Sequence, residues 1–115
     1  MITTLRIKKG YKDRLEVAVK WYSILSILNN FKWSPLEIKI IAYTAIEGNI
    51  SSGGKKKKFC ELFKVASGSV SNTLPELQRA FYLIKENNKV MLHPQLRMDF
   101  SFPILAQINL YEASN

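Results

Sequence analysis

The sequence predicts an α+β fold in which a core of three helices is followed by a β-hairpin and flanked by one extra strand at each end. A capping signal at Ser34 begins a strongly apolar helical segment, and residues 83–92 have the pattern of a hairpin with a polar tip. Alternating apolar and polar residues near both termini are typical of strands. The chain of 115 residues, 47% of them hydrophobic, has the size and apolar content of one domain, 1–115.

The first 33 residues contain two competing patterns. Ile2–Lys8 alternates as a half-buried strand does, and Gly10–Asp13 is typical of a turn. Leu15–Lys20 alternates in the same way, which predicts a returning strand and therefore an N-terminal hairpin. The same stretch also fits a helix, because apolar residues recur every three or four positions. Trp21–Asn30 is an apolar helix under either interpretation.

The clearest local signal is Ser34-Pro35-Leu36-Glu37. Serine at the N-cap, proline at the first helical position and glutamate three residues after the cap form a capping box. Apolar residues then follow on broad faces until Gly48 and Asn49 end the helix. A helix that is apolar on most sides belongs in the middle of a core.

A flexible joint and a short helix come next. The joint is Ser51–Gly54, a run of small residues that favours no regular structure. Lys55–Lys64 predicts a helix with Phe59, Leu62 and Phe63 facing inward. Cys60, between these apolar residues, is predicted to be a small core residue.

The remaining elements are a further helix, a hairpin and a strand. Residues 65–68 break the helical pattern, and another helix starts at about residue 69 and runs to about Tyr82. Residues 83–85 and 90–92 are predicted strands joined by a polar turn, closed by His93 and Pro94. Alternation from Ile104 to Tyr111 predicts a C-terminal strand that pairs with Ile2–Lys8. Residues 95–115 thus form a C-terminal strand extension.

The net charge of +8 comes from two segments. Residues 1–20 hold six cations against two anions, and residues 51–68 hold five against one, while all other residues balance. Such concentration of positive charge favours a polyanionic partner. The alternative is that both segments are solvated surfaces that keep the protein soluble. Whether the two segments share one face is left open by the sequence.

The chain lacks residues that most catalytic and metal sites require. Cys60 is the only cysteine and His93 the only histidine, which argues against a disulfide, a zinc cluster and a Cys–His dyad. Ser52–Lys55 lacks the spacing of a phosphate-binding loop. We therefore expect no enzymatic activity, no metal and no cofactor. The longest apolar stretch, Trp21–Leu28, is far shorter than the ~20 residues of a membrane span, so we expect a soluble, cytoplasmic protein.

The order of elements over residues 34–94 resembles a winged helix-turn-helix. Phe59–Asn72 resembles the usual entry to a recognition helix in that fold. Val90–Leu96 resembles the segment that closes the wing in phage and plasmid replication initiators of the RepL type. The resemblance covers about half of the chain and implies a recognition helix in the major groove of DNA with the hairpin beside it. The extra terminal strands indicate an elaborated version, encoded by a phage or plasmid and present in the host cytoplasm or the virion.

The resemblance also implies three sets of DNA contacts. The start of the recognition helix would contact base edges and phosphates, the preceding helix would bind phosphates, and the wing would lie on the backbone. The residues implied as contacts are Lys55, Lys56, Lys57, Lys58, Lys64, Ser67, Ser69, Ser71, Asn72, Thr73, Arg79, Lys85 and Lys89.

The sequence departs from this pattern in three ways. The glycine that such domains commonly have between recognition helix and wing is absent, and Ala80-Phe81 takes its place. Pro75 falls inside the recognition helix, where it should kink or restart the helix. Residues 67–81 contain a single cation, Arg79, so this helix contributes little of the charge on which DNA affinity depends.

Three functions therefore remain open. The first is duplex-DNA binding in replication initiation or transcription control. The second is a structural adaptor that assembles with proteins, in a phage particle for example, through edge strands or as a homo-oligomer. The third is RNA binding by stacking on the aromatic residues of 21–33, for which core packing is the competing interpretation. These aromatic residues are Trp21, Tyr22, Phe31 and Trp33.

Overall fold

The structure, a computed structural model, describes residues 2–5, 11–100 and 104–107. These residues form four α-helices, two separate antiparallel strand pairs and one short 3-10 turn, so the predicted α+β class is confirmed. In chain order the elements are β1 (Ile2–Leu5), α1 (Tyr11–Asn29), α2 (Pro35–Glu47), α3 (Lys55–Phe63), α4 (Ser67–Arg79), β2 (Leu83–Glu86), β3 (Lys89–Leu92), the 3-10 turn (Pro94–Leu96) and β4 (Ile104–Gln107).

The predicted N-terminal hairpin is wrong, because α1 occupies its second strand and most of its turn. One helix runs from Tyr11 to Asn29 without interruption. Leu15, Ala18 and Tyr22 are buried, and their spacing of three and four residues places them on one helical face. That face packs against α2, and this tertiary contact decides between the two patterns in the sequence.

The predicted pairing of the terminal strands is confirmed for the described residues. β1 and β4 are antiparallel, with Ile2 opposite Gln107 and Leu5 opposite Ile104. The other parts of the two predicted strands, 6–8 and 108–111, lie outside the described residues. The pair forms a two-stranded sheet of its own.

The capping box at the start of α2 is confirmed. The N–H of Glu37 donates to Ser34 Oγ at 3.2 Å, and the N–H of Ser34 donates to Glu37 Oε1 at 2.7 Å. Gly48 ends the helix with a φ of +88°, which a residue without Cβ adopts easily. Between them, Ile40–Thr44 is fully buried. The predicted position of α2 in the middle of the core is therefore also confirmed.

Helices α1 and α3 and strand β3 pack directly on α2, and α4 packs on α3 and β2. Apolar side chains from all of them are buried in one cluster: Tyr22, Tyr43, Phe59, Val70, Leu77, Leu83 and Leu92. Phe31, Trp33 and Tyr82 form an aromatic group beside it, with ring centroids 4.8 to 5.3 Å apart. Tyr22 and Trp33 are buried, which favours core packing over stacking on single strands for the aromatic residues of 21–33.

The predicted hairpin is confirmed as β2 and β3, with Leu83 opposite Leu92. Its two-residue turn has positive φ at both Asn87 (52°) and Asn88 (61°), the geometry of a type I′ turn. Asparagine tolerates this left-handed region better than most residues, so the polar tip of the hairpin has a local cause.

The loop between α2 and α3 is hydrogen-bonded to the hairpin. The N–H of Ile50 donates to Val90 O at 3.0 Å, and the N–H of Val90 donates to Ser51 Oγ at 2.8 Å. Asn49 Oδ1 accepts from the N–H groups of Ser51 and Ser52. The first half of the predicted flexible joint is therefore held by specific contacts, and the hairpin is attached to the start of α3.

Three predictions about α3 and α4 need correction. Leu62 is not buried with Phe59; it is 38% exposed, although it lies only about 60° around α3 from that fully buried ring. The break between the helices is shorter than predicted, since Ser67 and Gly68 already belong to α4. The helix also does not restart at Pro75. Pro75 and Ser71 are both on the exposed side of α4, where water can satisfy the carbonyl that a proline leaves without its helical donor.

Candidate nucleic-acid interface

The first half of α4 presents a polar surface. Val70 and Leu77 are buried and Leu74 is half-buried, so one face of the helix belongs to the core. The other face is exposed over its first two turns. It carries small polar side chains that can both donate and accept hydrogen bonds: Ser67, Ser69, Ser71 and Asn72.

Most of these polar side chains have no partner within the described part of the chain. Ser67, Ser69 and Asn72 make no side-chain hydrogen bond there, whereas Ser71 Oγ accepts a hydrogen bond from Lys56 Nζ. Thr73 differs from them, because it is half-buried and its hydroxyl donates to Ser69 O at 2.8 Å. The Thr73 hydroxyl is therefore bonded to the backbone of its own helix, and the prediction that it faces a ligand receives no support.

The N-terminus of α4 lacks a side-chain cap. Its N-cap residue, Ala66, has extended geometry (φ −67°, ψ 142°) but no side chain that could accept from the first turn. The free N–H groups at the start of a helix, together with its dipole, favour an anion. At this end of α4 the N–H groups of Ser69 and Val70 already donate to Ala66 O, at 3.1 and 3.4 Å, which leaves those of Ser67 and Gly68.

The four consecutive lysines at the start of α3 do not form one patch. Lys55 Nζ lies 3.7 Å from Glu47 Oε1 on α2, so this lysine forms an ion pair within the chain. Lys56 extends to Ser71 on α4. Lys57 and Lys58 are exposed and share the outer side of α3 with Glu61. A rotation of about 100° per residue produces this division, because Phe59 fixes which side of the helix faces the core.

A side chain of the core also holds the backbone of Lys55 by a hydrogen bond. Tyr43 Oη donates to Lys55 O at 2.8 Å. Burial, and secondarily the negative charge of Glu47, raises the pKa of Tyr43 to about 12. The phenol therefore stays protonated and keeps its donor across the physiological range. Burial likewise raises the pKa of Tyr22, whose hydroxyl donates to Leu96 O at 2.6 Å.

The other predicted cations differ in their distance from this site. Lys64 is exposed and has a left-handed backbone (φ 55°) in the short turn that leads directly into α4. Arg79 is exposed in the last turn, which at 1.5 Å per residue places it about 18 Å from Ser67 along the helix. Lys64 thus lies beside the polar half of α4 and Arg79 lies at its far end.

The two hairpin lysines face opposite ways. Lys85 is opposite Val90 in the register, on the face that includes the buried Leu83 and Leu92. Lys89 is opposite Glu86 on the other face, and Glu86 lies 3.9 Å from Arg97. Side chains alternate across a strand, so the two lysines cannot contact the same strip of a ligand.

The structure thus gathers only part of the predicted set. Six of these residues lie around the N-terminal half of α4: Lys56, Lys64, Ser67, Ser69, Ser71 and Asn72. The other seven do not join this group. Lys55 pairs with Glu47, and Thr73 donates to its own helix. Lys57 and Lys58 lie on the outer side of α3, Arg79 lies at the far end of α4, and Lys85 and Lys89 lie on the hairpin. Sequence reasoning treated the lysine run as one unit, although the spacing of Phe59 and Phe63 already implied that its members point in different directions.

A second cationic feature was missed by sequence reasoning. Arg14 and Arg97 line an open cleft of about 370 Å³ together with Asp99 and Phe100. Arg97 Nε donates to Leu92 O at 2.9 Å, which fixes this arginine beside the end of β3. No local motif joins Arg14 to Arg97, because the two residues are distant in sequence and line the same cleft only in the folded chain.

Two absences can be stated for the residues that the structure describes. Their His, Cys, Asp and Glu side chains form no group of three or more that could hold a metal ion. None of their helices is both long enough and apolar enough to span a bilayer.

Comparisons with protein-family models, with curated proteins and with solved structures give no match to this chain. The most organised group of polar and cationic side chains in the described part of the chain is the one around the first half of α4.

Proposed function

We propose that this protein is a winged-helix domain that binds duplex DNA through the first half of α4, in replication initiation or transcription control. In this proposal α3 and α4 are the helix-turn-helix pair, and α4 is the recognition helix. The hairpin β2–β3 is the wing. Attachment of the hairpin to the α2–α3 loop through Ile50 and Val90 supports this assignment, because it holds the wing against the helices.

The contact between Lys56 and Ser71 carries the proposal. It places an ammonium group next to the exposed hydroxyl and amide side chains of α4. A phosphate bound by Lys56 would therefore lie beside side chains that are able to reach base edges. Lys64 adds a second cation at the entry to α4, where the uncapped N–H groups of the first turn also favour an anion.

The chemistry of these side chains determines which of them would contact bases and which would contact phosphates. Ser69 and Asn72 have exposed donors and acceptors without partners in the described chain, so they are suited to base edges in the major groove. Lys56 and Lys64 are suited to phosphates, whose contacts fix orientation and dominate affinity. Arg79 at the far end of α4 and one hairpin lysine would add phosphate contacts on either side.

Duplex binding measured at several salt concentrations tests this proposal. With about four phosphate contacts, the affinity should fall about 150-fold between ~50 and ~200 mM salt. The probe is a fluorescein-labelled duplex of about 24 base pairs, roughly two helical turns, followed by fluorescence anisotropy.

Lys56→Ala and Lys57→Ala form a matched pair for this experiment. Both remove one lysine from adjacent positions of α3, but only Lys56 faces α4. Lys56→Ala should reduce the affinity and lower the salt slope by about one, while Lys57→Ala should leave the slope nearly unchanged. Equal effects of the two changes, or no binding at ~50 mM salt, would contradict the proposal.

A structural adaptor is the second candidate, and one observation favours it. Ile27 and Leu28 near the end of α1 are 78% and 53% exposed, and Ile24 one turn earlier is 40% exposed. Residues 21–31 contain no charged residue, so a second copy of the chain could pair with this stripe without bringing like charges together. Sedimentation equilibrium tests it: a dimer that Ile27→Ser dissociates supports the adaptor, and a monomer at micromolar concentration excludes this pairing.

A further inference from the structure

A groove with an apolar floor lies between α1, α2 and the last turn of α3. It has a volume of about 410 Å³ and shares no residue with the candidate site on α4. Its floor consists of four apolar side chains: Leu15, Val19, Leu62 and Phe63. A volume of about 150 Å³ accommodates one benzene-sized group, so this groove has room for roughly two or three large apolar side chains.

The rim of the groove carries a positive charge. Lys20 projects from α1 and Lys39 from α2, and among the described residues that line the groove only Glu16 is acidic. Lys39 Nζ lies 5.7 Å from the centre of the Phe63 ring, so its charge is held over the apolar floor. Lys58, one helical turn before Leu62 on α3, is exposed but does not line the groove.

We propose that this groove binds an acidic amphipathic helix of a partner protein. Apolar side chains spaced three and four residues apart along such a helix would occupy the floor, as in other helix-in-groove complexes. Aspartate and glutamate residues beside them would face Lys20 and Lys39. A nucleic acid does not fit this surface, because its phosphates would lose water over an apolar floor without gaining enough donors.

The exposure of Leu62 indicates that the groove binds a partner and is not only a by-product of core packing. Leu62 is 38% exposed in the floor of the groove, although neighbouring Phe59 is fully buried. The core therefore does not need the whole of Leu62, whereas a bound helix would cover it. The proposal is independent of DNA binding, so either can fail without the other.

The probe for this experiment is a designed helical peptide of about 18 residues with leucines at positions i, i+3, i+4 and i+7 and glutamates beside them. Two control peptides have lysine in place of every glutamate or serine in place of every leucine. Each is labelled with fluorescein and titrated with the full chain at ~150 mM salt. The glutamate peptide should bind with a micromolar Kd, at least about tenfold more tightly than either control.

Variants of the protein complete the test. Leu62→Ser should weaken peptide binding at least about tenfold, while Ile27→Ser, which removes an exposed apolar residue outside the groove, should not. Lys39→Glu should reduce or reverse the preference for the glutamate peptide. Circular dichroism and duplex-DNA binding of each variant serve as controls for folding and for the α4 site.

Four results would overturn the proposal. The first is equal binding of the glutamate and lysine peptides. The second is equal loss in Leu62→Ser and Ile27→Ser, and the third is no binding at about 100 µM protein. The fourth is a self-associated chain that Leu62→Ser converts to a monomer, since the groove would then be filled by a second copy.

Discussion

The hydroxyl of Tyr43 donates a hydrogen bond of 2.8 Å to the carbonyl oxygen of Lys55, the first residue of α3. Tyr43 is fully buried in α2, so the centre of the core determines where α3 begins. The next residue, Lys56, reaches α4. A single buried side chain thus connects the most enclosed helix of the molecule to the cation on which the proposed DNA site depends.

Removing this hydroxyl should reduce stability. Tyr43→Phe deletes the donor and leaves the ring in place, so the free energy of unfolding should fall by about 1 kcal/mol. Urea denaturation measures the change. Tyr82→Phe is the matched control, because the hydroxyl of Tyr82 has no hydrogen bond within the described residues, and it should change stability by less than about 0.5 kcal/mol. Similar losses in both variants would show that the bond to Lys55 contributes nothing.

Stability should fall in alkaline solution, and Tyr43 should account for part of the fall. Its pKa is raised from 10.0 to about 12 in the folded protein, so above pH 10 the unfolded chain loses this proton first. The unfolded state then binds fewer protons than the folded state, and the free energy of unfolding declines until the folded pKa is passed. Burial raises the pKa of Tyr22 in the same direction. Denaturation curves between about pH 8 and pH 12 should show a shallower decline for Tyr43→Phe, and parallel declines would contradict the assignment.

Changes at Ala66 should separate stability from DNA binding. Ala66 is the N-cap of α4 and has the extended geometry that a capping residue needs, so Ala66→Ser and Ala66→Asp should each stabilise the fold by about 1 kcal/mol. Ala66→Asp also places a negative charge beside the proposed phosphate contacts. It should therefore weaken duplex binding at ~50 mM salt by more than Ala66→Ser, which occupies one N–H group of the first turn but adds no charge. Equal binding by the two variants would argue against an anion at the start of α4.

Ser34 in the capping box of α2 should contribute more to the free energy of unfolding than an exposed serine without hydrogen bonds. Ser34→Ala removes the acceptor for the N–H of Glu37 and should lower the free energy of unfolding by about 1 kcal/mol. Ser69→Ala is the control, because Ser69 is exposed in the first turn of α4 and its side chain makes no hydrogen bond within the described chain. Thermal unfolding of both variants checks the difference, and a loss in Ser69→Ala as large as that in Ser34→Ala would contradict it.

The elements that could be predicted from the sequence are those that local chemistry determines. The box from Ser34 to Glu37 and the Asn87-Asn88 turn each depend on residues within four positions of one another. The structure of Leu15–Lys20 could not be predicted in this way, because its pattern suits both a strand and a helix. Contacts with α2, which is distant in sequence, determine the outcome.

The candidate site was predicted less well than the fold for the same reason. Sequence reasoning identified the polar start of α4 and the lysine run, but it could not tell that Lys55 pairs with Glu47 while Lys56 reaches Ser71. That distinction depends on how far α3 is rotated about its own axis. Phe59 and Phe63 set this rotation by entering a core that other elements build.

The enclosure of α2 also determines how the protein exchanges hydrogen with solvent. Ile40–Thr44 is fully buried, with α1, α3 and β3 packed on α2, so small local fluctuations should not bring water to these amide groups. Their protons should exchange with deuterium only when the whole domain opens, whereas those in the exposed first turn of α4 need only local fraying. The slowest amides in α2 therefore report the opening of the entire fold, and those at the start of α4 report the mobility of the surface that we propose meets DNA.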